Sequence, residues 1–205
     1  MTTLKTIRDH YPCEDGWKKL LKHLGKTKAD DEPLSIIEIL DSNGLDDALW
    51  CLPAVDGHEP EIRLLGVWCA RRVQHLMKDQ RSIDALDVAE RYAHGSATDF
   101  GLSVARWNAE SAANSCDDRA LSANESSTFN MSAENTAVRC ASWSAWWAAT
   151  EVPLVWKVAM RSAEAVAWEM VSLRPEARET FTEEDVAPFS TERKLQEEKL
   201  REVAG

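Results

Sequence analysis

The sequence predicts an all-α protein, either a multi-helix bundle or an irregular helical-repeat array of about seven to nine helices. Three observations predict this class. Glycine and proline are sparse, at 8 and 7 of 205 residues, alternating β-branched runs are absent, and helix-capping signals recur. We expect a single helical domain over residues 1–175, with a first half over 1–95 and an Ala/Trp-rich half over 96–175. A linker and a charged helix follow over 176–205.

The first half predicts five helices, each bounded by a capping residue, a glycine or a proline. Asp15 precedes the basic amphipathic stretch GWKKLLKHLG, which ends at Gly25. The other four are a helix begun by Pro33, capped by Asp30 or Asp31 and closed near Ser42-Asn43-Gly44; the DDALWCL segment, which stops before Pro53; a longer helix from Glu61 to Lys78; and Ser82 to His94, closed by Gly95.

The second half predicts three further helices and a charged terminal one. The three are Thr98 to Ser115, Ser132 to Thr150, and Pro153 to Leu173, in which proline occupies the first turn. The stretch RPEARETFTEEDVAPF is typical of a linker, and TERKLQEEKLREV predicts the terminal helix.

Composition indicates a cytoplasmic protein without a membrane partner. No run of about 18 uncharged apolar residues occurs, and the N-terminal stretch lacks the apolar segment of a secretory signal. The five cysteines are scattered and form no CxxC pair, which favours reduced thiols acting as small buried hydrophobes. We therefore expect neither disulfides nor a metal site.

Negative charge is concentrated in one window of the chain. Residues 29–62 contain ten acidic residues and no lysine or arginine, so this window carries −10 of the net charge of −11. One interpretation is that the basic first helix pairs with its acidic neighbour, which contributes little stability when the pairs are exposed. The other is that the window forms a surface for a basic partner.

Arg72 lies at the edge of the apolar face of the helix predicted from Glu61. A buried guanidinium must be paired, so we predict a structural ion pair between Arg72 and Asp46 or Asp47 of the preceding helix. The alternative is that the arginine stem lies over Trp68 with its charged end in water.

The stretch SAENTAVRCASWSAWWAAT predicts a helix with two contrasting faces. Alanines and Val138 make a small-residue face, whereas Trp143, Trp146 and Trp147 project from the opposite side. Such a helix is either enclosed between neighbours or displays an aromatic patch to a partner.

No motif for catalysis, phosphate binding or metal binding is present. GxGxxG, GxxxxGK[ST], HExxH and GxSxG do not occur, and the scattered histidines and cysteines lack the paired spacing of a zinc site. Adjacent carboxylates such as Asp46 and Asp47 diverge on a helix, which suits capping better than catalysis. The sequence predicts no enzyme and no cofactor, and its net charge disfavours nucleic-acid binding.

Two stretches resemble a family of small helical immunity proteins of bacterial toxin systems and phages. They are PCEDGWKKLLKHLGKTKADDEPLSIIEILDSNGLDDALWCL and CARRVQHLMKDQRSIDALDVAERYAHGSAT. ASWSAWWAAT and AEAVAWEM resemble the family's Ala/Trp-rich series, which CDDRALSANESSTFNMS interrupts here. The resemblance implies a helical protein associated with a toxin, and it supplies no catalytic residues.

These observations favour a non-enzymatic protein that neutralises a toxin or effector through an acidic helical surface. The candidate partner-binding residues are Asp30, Asp31, Glu32, Glu38, Asp41, Asp46 and Asp47, with Trp146 as the candidate anchor. The alternative is a phage or prophage accessory protein that blocks a host defence complex, for example by mimicking nucleic acid. An enzyme of unfamiliar type is the third hypothesis.

Overall fold

The computed structural model describes residues 1–122, 133–150, 154–173 and 183–205, with side chains except at 117–122, 133–134 and 183–185. Ten α-helices within these ranges confirm the all-α class. They are α1 Leu4–Asp9, α2 Glu14–His23, α3 Ile36–Asn43, α4 Leu45–Trp50, α5 Glu59–Arg71, α6 Gln80–Ala93, α7 Asp99–Ser122, α8 Ala133–Ala148, α9 Val155–Ser172 and α10 Glu183–Ala204. No helix in the described ranges combines the length and the apolar character needed to span a membrane.

The N-terminal segment of the chain contains elements that the sequence pattern did not predict. Strand β1 (Thr2–Thr3) pairs antiparallel with β2 (Pro33–Leu34), so Pro33 lies in a strand and the prediction that it begins a helix is wrong. Thr3 then caps α1, because its Oγ1 accepts a hydrogen bond from Thr6 N at 3.1 Å. A two-residue strand is defined by its distant partner and has too few residues for a period.

Helix α3 begins after Ser35, in a reciprocal capping box. Ser35 Oγ accepts from Glu38 N at 3.1 Å, and Ser35 N donates to Glu38 Oε2 at 3.1 Å. The prediction that Asp30 or Asp31 caps this helix is therefore wrong. Glu38, a predicted partner-binding residue, has a structural contact at the start of α3.

The helix predicted from Glu61 to Lys78 is shorter at its C-terminus. α5 ends at Arg71, and a 3₁₀ turn at Gln74–Leu76 separates it from α6. Asp79 caps α6 through a 3.0 Å hydrogen bond from Arg81 N to Asp79 Oδ1. Asp79 therefore sets the start of α6 at Gln80, close to the predicted start at Ser82.

The second half of the core is built from close-packed small residues. The predicted small-residue face of α8 is confirmed: Ala141, Ala145, Ala148 and Ala149 are fully buried. α8 packs most extensively against α9, which contributes Ala159 and other small residues to the same core. Alanine at these positions allows the two helix backbones to approach closely.

The charged terminal helix is built into the core. α10 begins at Glu183, passes through Pro188 and packs on α9, α5 and α3, so the end of the predicted linker is helical. Two of its own residues, Gln196 and Leu200, are buried. Several predicted features lie outside the described residues. They are the start of one helix at Ser132, the start of another at Pro153, most of the interruption after Cys116, and the domain boundary at residue 175.

Candidate functional site

The N-terminal part of the acidic window pairs with lysines of its own chain. Lys26 Nζ lies 2.7 Å from Asp30 Oδ2 and 2.7 Å from Glu32 Oε2, and Lys5 Nζ lies 3.3 Å from Asp31 Oδ2. The hydrogen bonds that Lys26 donates to Asp30 and Glu32 raise the pKa of Lys26, and the one to Asp30 lowers the pKa of that carboxyl. Lys5, Asp31 and Glu32 are mostly exposed, so these pairs contribute little stability.

Helix α10 supplies the counter-charges for two further carboxylates of the window. Arg201 Nη2 donates to Asp41 Oδ1 at 2.7 Å, and Arg193 Nη2 donates to Asp46 Oδ1. Among the described residues, five of the window's ten carboxylates are paired with a lysine or arginine: Asp30, Asp31, Glu32, Asp41 and Asp46. The interpretation that the basic first helix supplies these pairs is wrong, because Lys5 lies in α1, Lys26 follows α2, and Arg193 and Arg201 lie in α10.

Arg72 pairs with a residue that the sequence analysis did not consider. Its Nε lies 2.6 Å from Glu192 Oε1 and 2.8 Å from Glu192 Oε2, and its guanidinium lies 5.2 Å from the centre of the Trp68 ring. The predicted ion pair with Asp46 or Asp47 is wrong, because α10 brings Glu192 between α5 and α9. The alternative is met only in part: the guanidinium lies over Trp68, but its charged end bonds to Glu192 and does not lie free in water.

The tryptophan face of α8 is half-buried. Trp146 contacts Trp143 edge-on at 5.1 Å between ring centres, and it contacts Trp147 at 4.1 Å. Its indole Nε1 is enclosed with no hydrogen-bond partner among the described residues, and the ring packs against the core. Lys157 Nζ covers Trp147 at 3.8 Å from the ring centre. This geometry favours the enclosed helix over a displayed patch.

A cleft of about 410 Å³ opens on the acidic side of the molecule, and aromatic residues form much of its wall. Trp17 of α2, Trp50 of α4 and Trp156 of α9 line it, and all three rings are half-buried. Tyr11, 90% exposed, also lines the cleft and reverses the chain between α1 and α2 with φ 57°. These four aromatic residues come from four separate segments of the chain, so the cleft is formed by the tertiary fold.

Two carboxylates of the acidic window line the same cleft. Asn43 Nδ2 donates to Asp47 Oδ2 at 2.7 Å and to Gly16 O at 2.8 Å, which fixes Asp47 against α2. A Cβ at Gly16 would lie 2.8 Å from Asp47 Oδ2, so glycine is needed for this close approach. Asp47 Oδ1 has no hydrogen-bond partner among the described residues, and Asp46 lines the cleft beside Asp47.

The cleft has the chemistry of a binding site. Cys51 lines it, but burial raises the pKa of this thiol to about 12, with a smaller contribution from Asp47, so it remains protonated at neutral pH. Among the described residues that line it, none is a histidine, lysine or arginine, and no group of three metal-ligating side chains occurs in the described ranges. Asp46 and Asp47 provide acceptors that can hold a cation, and the exposed thiol of Cys13 also lines the cleft.

Part of this site follows from sequence reasoning and part does not. Asp46 and Asp47 were predicted as partner-binding residues and line the cleft. Trp17, Trp50, Trp156 and Tyr11 were not singled out, because each aromatic side chain sits on a different element. The only sequence signal for them is the excess of tryptophan, with nine against two tyrosines.

Comparison with known proteins adds no relative. No family model, curated protein or solved structure matches this chain. The resemblance to immunity proteins therefore stays a prediction.

Proposed function

We propose that this protein is a non-enzymatic binding protein that neutralises a basic toxin or effector by covering it with its acidic helical face. The acidic face comprises α3, α4 and residues 29–35 before α3, and the aromatic cleft lies between this face and the basic helix α2. The observation that carries the proposal is the cleft, because it places half-buried tryptophans beside Asp46 and Asp47. Aromatic side chains with neighbouring charges are typical anchors of protein interfaces.

The acidic face keeps a negative field after internal pairing. Lys5, Lys26, Arg193 and Arg201 contribute four positive charges against the seven carboxylates of residues 29–50, which leaves three negative charges. Lys19 places a further positive charge at the edge of the face, because its Nζ donates to Asn43 O at 3.1 Å. A field of this kind steers a basic partner and is screened by salt.

The proposed function predicts that association depends on salt and on these carboxylates. Asp31→Asn/Asp41→Asn removes two charges of the face, and Asp84→Asn/Glu198→Gln removes two exposed charges elsewhere as the matched control. The partner is isolated by crosslinking and affinity capture from the source cells, and the association rate is then measured by surface plasmon resonance. We expect a basic partner whose association rate falls at least about tenfold between 50 and about 500 mM salt.

The two variants separate a specific face from general charge. We expect Asp31→Asn/Asp41→Asn to slow association about threefold or more, and the control to slow it by less than about half of that factor. An acidic partner, a rate insensitive to salt, or equal effects of the two variants would contradict the proposal.

A further inference from the structure

We infer that the aromatic cleft binds an organic cation on an aliphatic stem, which the partner presents as a lysine side chain. The inference rests on the proposed function for the source of that lysine. It rests on the cleft alone for the chemistry of recognition. The cleft has about 410 Å³ of space, which falls within the range of small-ligand sites and exceeds the needs of one lysine side chain.

The walls suit an aliphatic stem that ends in a positive charge. Trp17, Trp50 and Trp156 contribute apolar ring surface, and most of the cleft wall is apolar. The face of an indole ring attracts a cation within about 6 Å of its centre. Neutral apolar ligands could also contact these walls, so the charge preference depends on the carboxylates.

Asp47 supplies that charge preference. Its Oδ2 is held by Asn43, whereas Oδ1 has no hydrogen-bond partner among the described residues, so an ammonium group can donate to Oδ1 without displacing a protein contact. An anion would meet Asp47 with no cationic wall residue among the described ones to offset it, whereas Asp46 is already paired with Arg193. A neutral apolar group would exclude solvent from the carboxylate without donating a hydrogen bond to it.

The molecule already uses the same contact elsewhere. Lys157 Nζ lies 3.8 Å from the ring centre of Trp147, and Arg72 lies 5.2 Å from that of Trp68. Lys157 Nζ also lies 5.4 Å from the ring centre of Trp156. This positive charge reduces the share of Trp156 in binding a second cation, so Trp17, Trp50 and Asp47 carry most of the recognition.

Gly16 indicates that the wall is shaped for this close approach. A glycine in the first turns of a helix costs up to about 1 kcal/mol relative to alanine. Here the hydrogen atom in place of a Cβ leaves room for Asp47 Oδ2, and an added Cβ would also lie 3.1 Å from Cys13 Sγ. Gly16→Ala therefore displaces the carboxylate wall while favouring the helix itself.

The test uses two small probes that differ in one group. Nα-acetyl-lysine methylamide carries the ammonium, and Nα-acetyl-norleucine methylamide has nearly the same stem without it. Calorimetric titration of the full chain is expected to give a Kd of about 1 mM for the lysine probe, at least about tenfold tighter than for norleucine. The rate of Cys13 alkylation by iodoacetamide locates the probe, because the exposed thiol lines the cleft.

Variants of the cleft provide the controls. Asp47→Asn keeps the acceptor for Asn43 and removes the charge, and we expect it to weaken the lysine probe at least about fivefold and leave norleucine unchanged. Gly16→Ala is expected to weaken the lysine probe similarly, and Asp84→Asn to leave it unchanged. Asp46 is left intact in this series because it pairs with Arg193.

Three results would overturn the inference: equal affinity for the two probes, no binding of the lysine probe below about 20 mM, or an unchanged Kd in Asp47→Asn. Because the probes need no partner protein, this outcome is independent of the partner-capture experiment. Lysine binding without a basic partner would keep the cleft assignment and remove the proposed function. A basic partner without binding of the lysine probe would keep the proposed function and remove the cleft assignment.

Discussion

Arg63→Leu is expected to lower the free energy of unfolding by about 3 kcal/mol, since it leaves buried carbonyl groups without a donor. Arg63 is 2% exposed, and its Nη1 donates to Thr150 O at 2.7 Å and to Ala148 O at 3.3 Å. Burial lowers the pKa of Arg63, but an arginine remains charged at neutral pH. The guanidinium also lies 5.0 Å from the ring centre of Tyr92.

This prediction is checked by urea unfolding followed by circular dichroism. Arg91→Leu serves as the control, because Arg91 is exposed and donates only to Asp87 O at 3.3 Å among the described contacts. A loss of less than about 1 kcal/mol for Arg63→Leu would show that water satisfies the carbonyls of Ala148 and Thr150 equally well.

Arg72→Met is expected to destabilise the protein by about 3 kcal/mol, because it leaves the carboxylate of Glu192 buried without its cation. Glu192 is 2% exposed, and Gln196 Nε2 remains as a weak donor at 3.5 Å. Arg72→Met/Glu192→Met removes both charges and is expected to recover at least about half of the loss, since an apolar pair of similar volume is well tolerated. Urea unfolding of wild type, both single variants and the double variant measures the coupling.

The result that would contradict this prediction is a double variant as unstable as Arg72→Met. That outcome would mean that the pair matters through its shape and its contact with Trp68, and that the charge of Glu192 is not the source of the cost. It would also reduce the role assigned to α10 in joining the two halves of the chain.

The fold class followed from local signals that the structure confirms. The basic stretch after Asp15 forms α2, and the alanines of α8 are buried as their helical spacing predicts. The short first helix and the two-residue strands were missed. The strands are specified by pairing with a distant segment, such as Thr2 opposite Leu34, which a local pattern does not contain. The first helix begins at a local cap, Thr3, that the sequence analysis did not use.

The candidate site shows the same division. The acidic window could be predicted because charge is counted directly along the sequence. The ion pairs that its carboxylates form with distant arginines could not be predicted in this way. Arg193 and Arg201 reach Asp46 and Asp41 from 147 and 160 residues away. Glu192 and Gln196 are polar, so their i, i+4, i+8 spacing with Leu200 forms no apolar stripe from which the buried face of the charged helix could be predicted.

Helix α10 connects the acidic face to the rest of the protein. Its residues Arg193 and Arg201 contact α4 and α3, while Glu192 contacts Arg72 after α5. Gln196 Nε2 donates to Ala159 O at 2.9 Å in α9. Helix α4 also contacts α9 directly, which places Trp50 and Trp156 in the same cleft.

The account's central claim is that the acidic aromatic cleft is the surface that contacts a protein partner. Hydrogen–deuterium exchange of the chain, alone and in complex with its captured partner, tests this most directly. We predict slower exchange in residues 12–20 and 45–51, which line the cleft, and unchanged exchange in α6 and α7. Slower exchange confined to α6 and α7, with residues 12–20 and 45–51 unaffected, would contradict it.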